Sequence, residues 1–310
     1  MTNEQLAIAC VATYCRPLGL SGLLKSLAMA QIPPGWRFHV VVVDNDVEGS
    51  AQQTLDVLGD LGIDITSAVE PRQGIPFARN RTVELAMSLG ADLLVFVDDD
   101  EWVDKRWLLE FAEALHTYEA PVVMGHVLAE FEQPPPSWAT ETKAFQRRSR
   151  PAGTTLDFAI TANVLVRSCI LDGDTRPFDE SLRFSGGEDL ELFQRLTRAG
   201  HKIVFAPEAL THELIPASRV TKSWVLKRQF RRGTNRSVVL RKHNFRPKQV
   251  VKRVVAGIVA IGQGCLIWLS GIVTGETVRL RGGMRVAYGL GLVVGLAGRQ
   301  FDEYRATHGQ

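Results

Sequence analysis

The sequence has few cysteines. Cys10, Cys15, Cys169 and Cys265 are the only four in 310 residues, and none forms a CxxC pair. Nothing in that spacing suggests a zinc site or a disulfide framework. The opening MTNEQLAIAC lacks a basic stretch followed by an apolar one, so no signal peptide is expected. A reducing, cytosolic setting is the default for most of the chain. No GxxxxGK[ST] occurs, which excludes a P-loop. No GxGxxG follows the first apolar run, which removes the usual dinucleotide fingerprint. Acids are missing from one long segment: residues 219–253 hold 13 Lys and Arg and no Asp or Glu.

That last absence belongs to a wider asymmetry. Residues 1–218 carry 18 Lys and Arg against 31 Asp and Glu, a net of −13. Residues 219–310 carry 18 against 3, a net of +15. The two halves nearly cancel, to +2 overall. An acidic body joined to a basic tail marks a nucleic-acid or membrane contact more often than a simple globule. The length suits one large core or two domains.

The acidic part alternates apolar runs with helical periods. Leu6–Thr13, Phe38–Val43, Ile63–Val69 and Leu93–Val97 read as strands. Gly22–Ala30, Gln52–Leu61 and Pro76–Leu89 read as helices between them. The strands are apolar throughout instead of alternating, which predicts a parallel sheet covered on both faces. Ligands of such sheets bind beyond the carboxyl ends of the strands. Those ends carry Thr13 and Arg16, Asp44 and Asp46, and Asp98 to Asp100. Regularity fades after about residue 120, with Gln133–Trp138 a loop, Lys143–Arg150 basic, and Leu156–Arg167 a further possible strand. In Phe184–Gly200, two glycines precede a helix whose first turn holds Glu188 and Asp189. Acids there are favoured by the helix dipole.

The run VFVDDDEW places four consecutive acids, Asp98 to Glu101, at a strand end. Repulsion makes this costly unless a cation or several donors compensate. Hard divalent cations take oxygen ligands, and Mg²⁺ or Mn²⁺ commonly binds one or two carboxylates plus substrate phosphates. Side chains two apart on an extended segment can face the same way, which pairs Asp98 with Asp100.

Five segments, TYCRP after the first strand, VVVVDND, PRQGIPFARN, VFVDDDE and GGEDLELFQRL, stand in the order and spacing of the family 2 glycosyltransferases. The chain resembles that family over about residues 5–215, and within it the bacterial exopolysaccharide, succinoglycan-type enzymes. The resemblance implies an α/β fold of the GT-A type, a Rossmann-like nucleotide-diphospho-sugar transferase domain. It also implies inverting transfer from a nucleotide-sugar donor. Two features depart from the wider family: Cys15 stands where Asn is usual, and the tail has no QxxRW motif, which argues against a processive synthase.

The same resemblance implies roles. Thr13, Arg16 and Asp44 would meet the uracil and ribose, with Asp46 a weaker candidate. Arg79 and Asn80 would border the nucleotide pocket. Asp98 would face ribose or metal, and Asp100 would ligate a divalent cation, Mn²⁺ or Mg²⁺, bridging the diphosphate. His212 matches a histidine that in some relatives helps hold metal or diphosphate. Asp99 joins the donor-binding set by position alone, and Glu101 has no assigned contact. Asp189 is the candidate base for the acceptor hydroxyl, with Glu188 orienting it or touching acceptor. A carboxylate near pKa 4 is a weak base, so proximity would carry most of that step. Plainer readings stand beside these: Asp44 and Asp46 as turn formers, His212 as a packed histidine, Arg79 and Arg81 as solvated helix residues. Arg195 reads as structural, and Trp102 and Trp138 as packed or sugar-stacking.

The tail interleaves its basic residues with Trp224, Phe230 and Phe245. Val254–Gly275 then runs 22 residues without a charge, roughly 33 Å as a helix. A second such run, Val286–Gly298, has 13 residues. Basic clusters beside apolar segments bind anionic lipid, so a membrane surface is the expected partner and nucleic acid is not. Arg279, Arg281 and Arg285 between the runs oppose a simple spanning hairpin. A span, an interfacial hairpin and a buried helical pair therefore remain open. The expected organisation is a catalytic domain, 1–218, and a basic, apolar helical region, 219–310. Together they would sit at the cytoplasmic face of the inner membrane and act on a lipid-linked glycan acceptor. Catalytically silent scaffolding and sugar nucleotidyl transfer are the alternatives.

Overall fold

The structure, a computed structural model, describes residues 4–183, 186–242 and 247–297. Phe184, Phe245 and Gly298 lie outside the described residues. Four strands, β1 (Gln5–Thr13), β2 (Trp36–Asp44), β3 (Asp64–Val69) and β4 (Leu93–Val97), pair in parallel in the order β3-β2-β1-β4. Helices α1 (Pro17–Ala28), α2 (Ser50–Leu58) and α3 (Ile75–Ser88) connect them. Residues of β1 alternate between two cores. Ala7, Ala9 and Val11 face a core containing Leu20, Leu23 and Leu27 of α1. Leu6, Ile8 and Cys10 face the other, with Val83 and Ala86 of α3. Side chains alternate across a strand, so a strand covered on both faces must be apolar at every position.

The expectation of a wholly parallel sheet is corrected beyond β4. Nine strands share one mixed sheet, which continues through β8 (Asn163–Arg167), β6 (Val122–Phe131), β9 (Ile203–Ile215) and β5 (Glu101–Val103). β8 is antiparallel to β4 and to β6, and β5 is antiparallel to β9. Leu156–Arg167 is not one strand. It divides into β7 (Thr155–Leu156), on β9, and β8. Conversely, the segments around 203–205 and 207–212 form the single long β9. Two helices, α4 (Trp107–Tyr118) and α6 (Glu188–Arg198), cover opposite faces of this half, and α5 (Ser137–Thr142) interrupts the expected loop.

The β6–β9 register shifts at Gly125, where β9 accommodates extra residues. A Cβ at Gly125 would lie 2.4 Å from the Ala209 carbonyl oxygen. The Asn163 amide crosses the same gap, donating to Ala209 O at 2.7 Å and His126 O at 3.0 Å. It accepts from the Trp107 indole at 2.9 Å. A buried amide with these partners satisfies the backbone groups that the shift would otherwise strand.

Three helices complete the chain: α7 (Lys222–Lys242), α8 (Pro247–Thr274) and α9 (Glu276–Leu296). α9 packs between α7 and α8. Glycines allow the close approach: a Cβ at Gly264 would meet Gly282 O at 2.8 Å, and one at Gly291 would meet Phe230 O at 2.0 Å. α7 lies on the catalytic body. Trp224 stacks on Phe145 at 5.6 Å, and Lys242 pairs with Asp179. The start of α9 returns to the body through Arg281 on the Glu141 carbonyl, while Glu276 pairs with Lys222 at the start of α7. α8 turns a buried stripe of Gly257, Ala260, Gly264 and Gly271 inward. Ile258, Leu266, Leu269, Ile272 and Val273 of α8 are more than half exposed. Among the described residues no segment covers this apolar face of α8, which departs from a fully buried helical pair.

Candidate active site

The acids at the end of β4 divide by their partners. Asp99 is buried and faces the sheet: its Oδ2 accepts from Thr13 Oγ1 at 2.7 Å and its Oδ1 from Arg16 Nη1 at 2.8 Å. The same Arg16 nitrogen reaches Asp100 Oδ2 at 3.1 Å, and Arg219 lies 3.6 Å from that oxygen. Asp98, 38% exposed at its side chain, accepts from Arg79 Nη2 at 2.9 Å. Glu101 enters β5 directly opposite Glu213 of β9 and is buried. Like charges opposed in a sheet repel. Arg147 relieves the pair, donating to Glu213 Oε2 at 3.1 Å. Gly19 explains how α1 comes so near: a Cβ there would sit 2.6 Å from the Asp99 carbonyl oxygen.

Burial raises the Asp99 carboxyl despite its pairing with Arg16 and Thr13. Burial, joined by repulsion from Asp99 and Asp98, pushes Asp100 up to about 6 against the pull of Arg16. Burial with Asp98 nearby holds Glu101 well above the usual range.

The second acidic pair arrives on α6. Gly186 and Gly187 adopt φ of +69° and +93°, the left-handed region that only glycine takes freely, and turn the chain into the helix. Asn235 of α7 packs over Gly187, where a Cβ would be 3.3 Å away. Glu188 is buried and ion-paired to Arg79 Nη1, while its Oε2 has no partner. Asp189 Oδ1 accepts from the Leu190 N–H at 2.6 Å. Burial pushes Glu188 up to about 7, with Asp189 adding to the rise and Arg79 opposing it. Burial also raises Asp189. The expectation of an unperturbed carboxylate base is thus corrected, because both groups are largely removed from water.

Arg79 connects the two sets. Its guanidinium bridges Asp98 and Glu188, residues 90 positions apart in sequence, and brings the end of β4 against the start of α6. Other expected residues are engaged differently. Asp44 binds the start of α2, accepting from Ala51 N at 2.6 Å and Asp46 N at 2.9 Å. A cavity of about 200 Å³ beyond β2 and β3 is lined by Asp44, Gly49, Ala51, Ser67 and Val69, among others. Asp46 accepts from Glu48 N at 3.2 Å and from the Cys15 thiol at 3.5 Å. Asn80 is fully engaged inside the fold, its amide exchanging hydrogen bonds with the Phe178 backbone at 2.8 and 2.9 Å. His212 faces Asp104 at 3.0 Å and Glu130 at 3.2 Å, and stacks on Trp102 with ring centroids 5.2 Å apart. The structure does not bring it together with Asp98 or Asp100. Arg81 pairs with Glu84, Arg195 with Glu191, and Trp138 packs near Phe145.

Among the described residues, no three His, Cys, Asp or Glu side chains converge as a preformed metal cage. Asp98 and Asp100 nonetheless fit a cation of the Mg²⁺ or Mn²⁺ type. They are hard oxygen donors on one loop, partly exposed, and Asp100 is destabilised by neighbouring charge that a cation would relieve. Arg147, Arg219 and Glu213 are the site residues that the sequence did not single out. Their signal was the basic run at Lys143–Arg150 and the first residue of the acid-free segment.

Known proteins resemble this chain in sequence and in fold. The model of glycosyl transferase family 2 matches residues 8–173. The succinoglycan biosynthesis protein ExoM of Rhizobium meliloti (strain 1021) is 32% identical over 309 residues, covering 99% of this chain and 98% of the relative. Among solved structures, the mannosyltransferase PcManGT from Pyrobaculum calidifontis, in complex with GDP-Man and Mn²⁺, superposes with a TM-score of 0.63 at 15% identity. That match covers 94% of this chain and 87% of the other. TarS 1–349 from S. aureus, in complex with UDP, superposes at 0.54 with 14% identity over 95% and 92%. The two structures show a shared fold, and the family model and the near full-length relative show kinship. The chain belongs to glycosyl transferase family 2 and is a glycosyltransferase of the GT-A fold.

Proposed function

We propose that the chain transfers a sugar, with inversion, from a nucleotide-sugar donor, UDP-linked in our reading, to a lipid-linked glycan acceptor in exopolysaccharide or cell-surface polysaccharide assembly. One observation carries the reading: Arg79 joins the strand-end carboxylate Asp98 to the Glu188–Asp189 pair in one site. Displacement at a sugar carbon needs a proton acceptor on one side and charge stabilisation of the leaving diphosphate on the other. Asp189 takes the acceptor hydroxyl's proton, and its raised pKa makes it a stronger base than an ordinary carboxylate. Glu188, locked by Arg79, orients that turn of α6. Asp98 and Asp100 would hold the cation, which when bound supplies positive charge to the diphosphate. Thr13 and Arg16, tied to Asp99, set the first loop beside the donor. The cavity bordered by Asp44 is the place for the base.

The division of labour follows residues 1–218 for catalysis and 219–310 for membrane association. α8 is long and apolar enough to cross a bilayer by length and composition, and only 22% of its most apolar window is buried. Both of its ends stay near the catalytic body, since Lys242 pairs with Asp179 before it and Arg281 with the Glu141 carbonyl after it. That geometry favours a helix lying in the interface at the cytoplasmic face of the inner membrane, with its apolar side in the lipid. The relative's part in succinoglycan biosynthesis supports the acceptor class.

The test is a panel of UDP- and GDP-sugars incubated with the full chain and a membrane extract, scored for label in lipid-extractable product. Label from a UDP-sugar with Mn²⁺ supports the reading. Binding of UDP without turnover on any donor would favour a scaffold.

A further inference from the structure

The basic segment that begins at Arg219 does not turn wholly toward a membrane surface: Arg219 and Arg228 are directed at the protein. Arg219, just before α7, reaches Asp100 and, at 3.9 Å, Glu213. Arg228 lies against the ring of Trp224, 5.0 Å from its centroid, and its Nη1 is buried with no hydrogen-bond partner. Arg147 comes to the same place from the loop before β7. One of its nitrogens binds Glu213, and its Nε is also buried without a partner. Arg232, one helical turn beyond Arg228, is exposed at the rim. The guanidinium groups of Arg147 and Arg219 thus meet at the Glu213 carboxylate, Arg228 lies close enough to feel its charge, and Arg147 and Arg228 keep unspent donors out of reach of water. A buried unpaired donor is costly, and a charged one more so. Such a cluster is stabilised by an anion that arrives from outside, and the guanidinium fork suits phosphate oxygens.

We propose that Arg147 and Arg228, with Arg232 at the rim, form the subsite for the diphosphate of a lipid-linked acceptor. This rests on the glycosyltransfer reading above and names the acceptor's chemistry. The donor's diphosphate belongs on the acidic loop of Asp98–Asp100, which needs a cation to take phosphate. The arginine cluster binds phosphate with no metal. It also stands on α7, which packs through α9 against α8, so the subsite belongs to the same helical unit as the exposed apolar face of α8.

Isothermal titration of the full chain in detergent tests this with three probes. Inorganic pyrophosphate and farnesyl diphosphate are titrated in EDTA, and UDP is titrated with Mn²⁺. The wild type binds farnesyl diphosphate in EDTA. Arg228→Gln weakens that binding roughly 10- to 100-fold, the loss expected for one charge-assisted contact, and leaves UDP binding unchanged. Arg228→Lys recovers part of the loss. Ligand-free Arg228→Gln unfolds no earlier than wild type, because it deletes an unsatisfied buried donor, whereas a merely structural arginine would lower the melting temperature. Equal farnesyl diphosphate binding by wild type and Arg228→Gln overturns the proposal. So does a loss confined to UDP, which would move the cluster to the donor side. Binding of pyrophosphate but not of farnesyl diphosphate overturns the lipid assignment. Failure of the wild type to bind UDP with Mn²⁺ would undercut the donor reading, while Arg228-dependent farnesyl diphosphate binding would still uphold the subsite.

Discussion

The Thr13 hydroxyl donates to Asp99 Oδ2 at 2.7 Å, joining the end of β1 to the turn after β4 across 86 residues of sequence. The same carboxylate holds Arg16, so the middle acid of the triplet braces the loop that presents its two neighbours. Asp99→Ala leaves Arg16 beside Asp100 alone and strands the Thr13 hydroxyl. We expect a loss of about 3 kcal/mol, the cost of breaking a buried pair, in urea unfolding. Asp99→Asn, which keeps an acceptor for Thr13, should lose less.

Asp189→Asn should abolish sugar transfer and leave donor affinity intact. The substitution preserves the size and the acceptor for the Leu190 N–H but cannot take a proton. Titration with UDP and Mn²⁺ beside a turnover assay separates the two effects. A matching loss of UDP affinity would reassign Asp189 to binding.

The raised carboxyls make opposite demands on pH. Glu188 has an ordinary value of 4.5 and a folded value of about 7, so folding favours its neutral form. The stability it contributes is complete below about pH 4.5 and is lost as pH rises toward 7. Glu188→Gln should flatten the melting temperature across that interval. Activity runs the other way, because Asp189 must be ionised to act. The acidic limb of the kcat/KM profile should therefore lie above the 3.8 of an ordinary aspartate.

Gly19→Ala should damage the site without touching a charged group. The new methyl would press on the Asp99 carbonyl, a backbone atom that cannot rotate away. We expect metal-dependent UDP binding to fall at least tenfold, an order-of-magnitude figure equal to about 1.4 kcal/mol, with the fold retained by circular dichroism.

Replacing Ile258 and Leu266 of α8 together by Asp should weaken sedimentation with vesicles containing phosphatidylglycerol. Both side chains are at least 60% exposed on a face that no other segment covers among the described residues. UDP binding should be unchanged, since neither residue approaches the acids.

The local pattern carried the first half of this protein. Leu93–Val97 falls on the strand with the same bounds that its apolar run implies, and β1 to β4 alternate with α1 to α3 as the periodicity requires. A strand buried on two faces has no choice but continuous apolarity, so it can be recognised from the sequence alone. The presence of acids at 98–100 and 188–189, and the charge split at about residue 218, were equally legible. Tertiary structure decided what each acid does. Asp99 turned inward to Thr13 and Arg16, and Asp98 turned to an arginine from α3. His212 went to Asp104 and Glu130 because β9 pairs it with Trp102 of β5, on an edge strand only three residues long. The mixed half of the sheet and the inward face of α7 depend on contacts between segments distant in sequence. Arg147 and Arg219 gain their meaning only from sharing Glu213, with Arg228 beside them, and no spacing along the chain records that meeting.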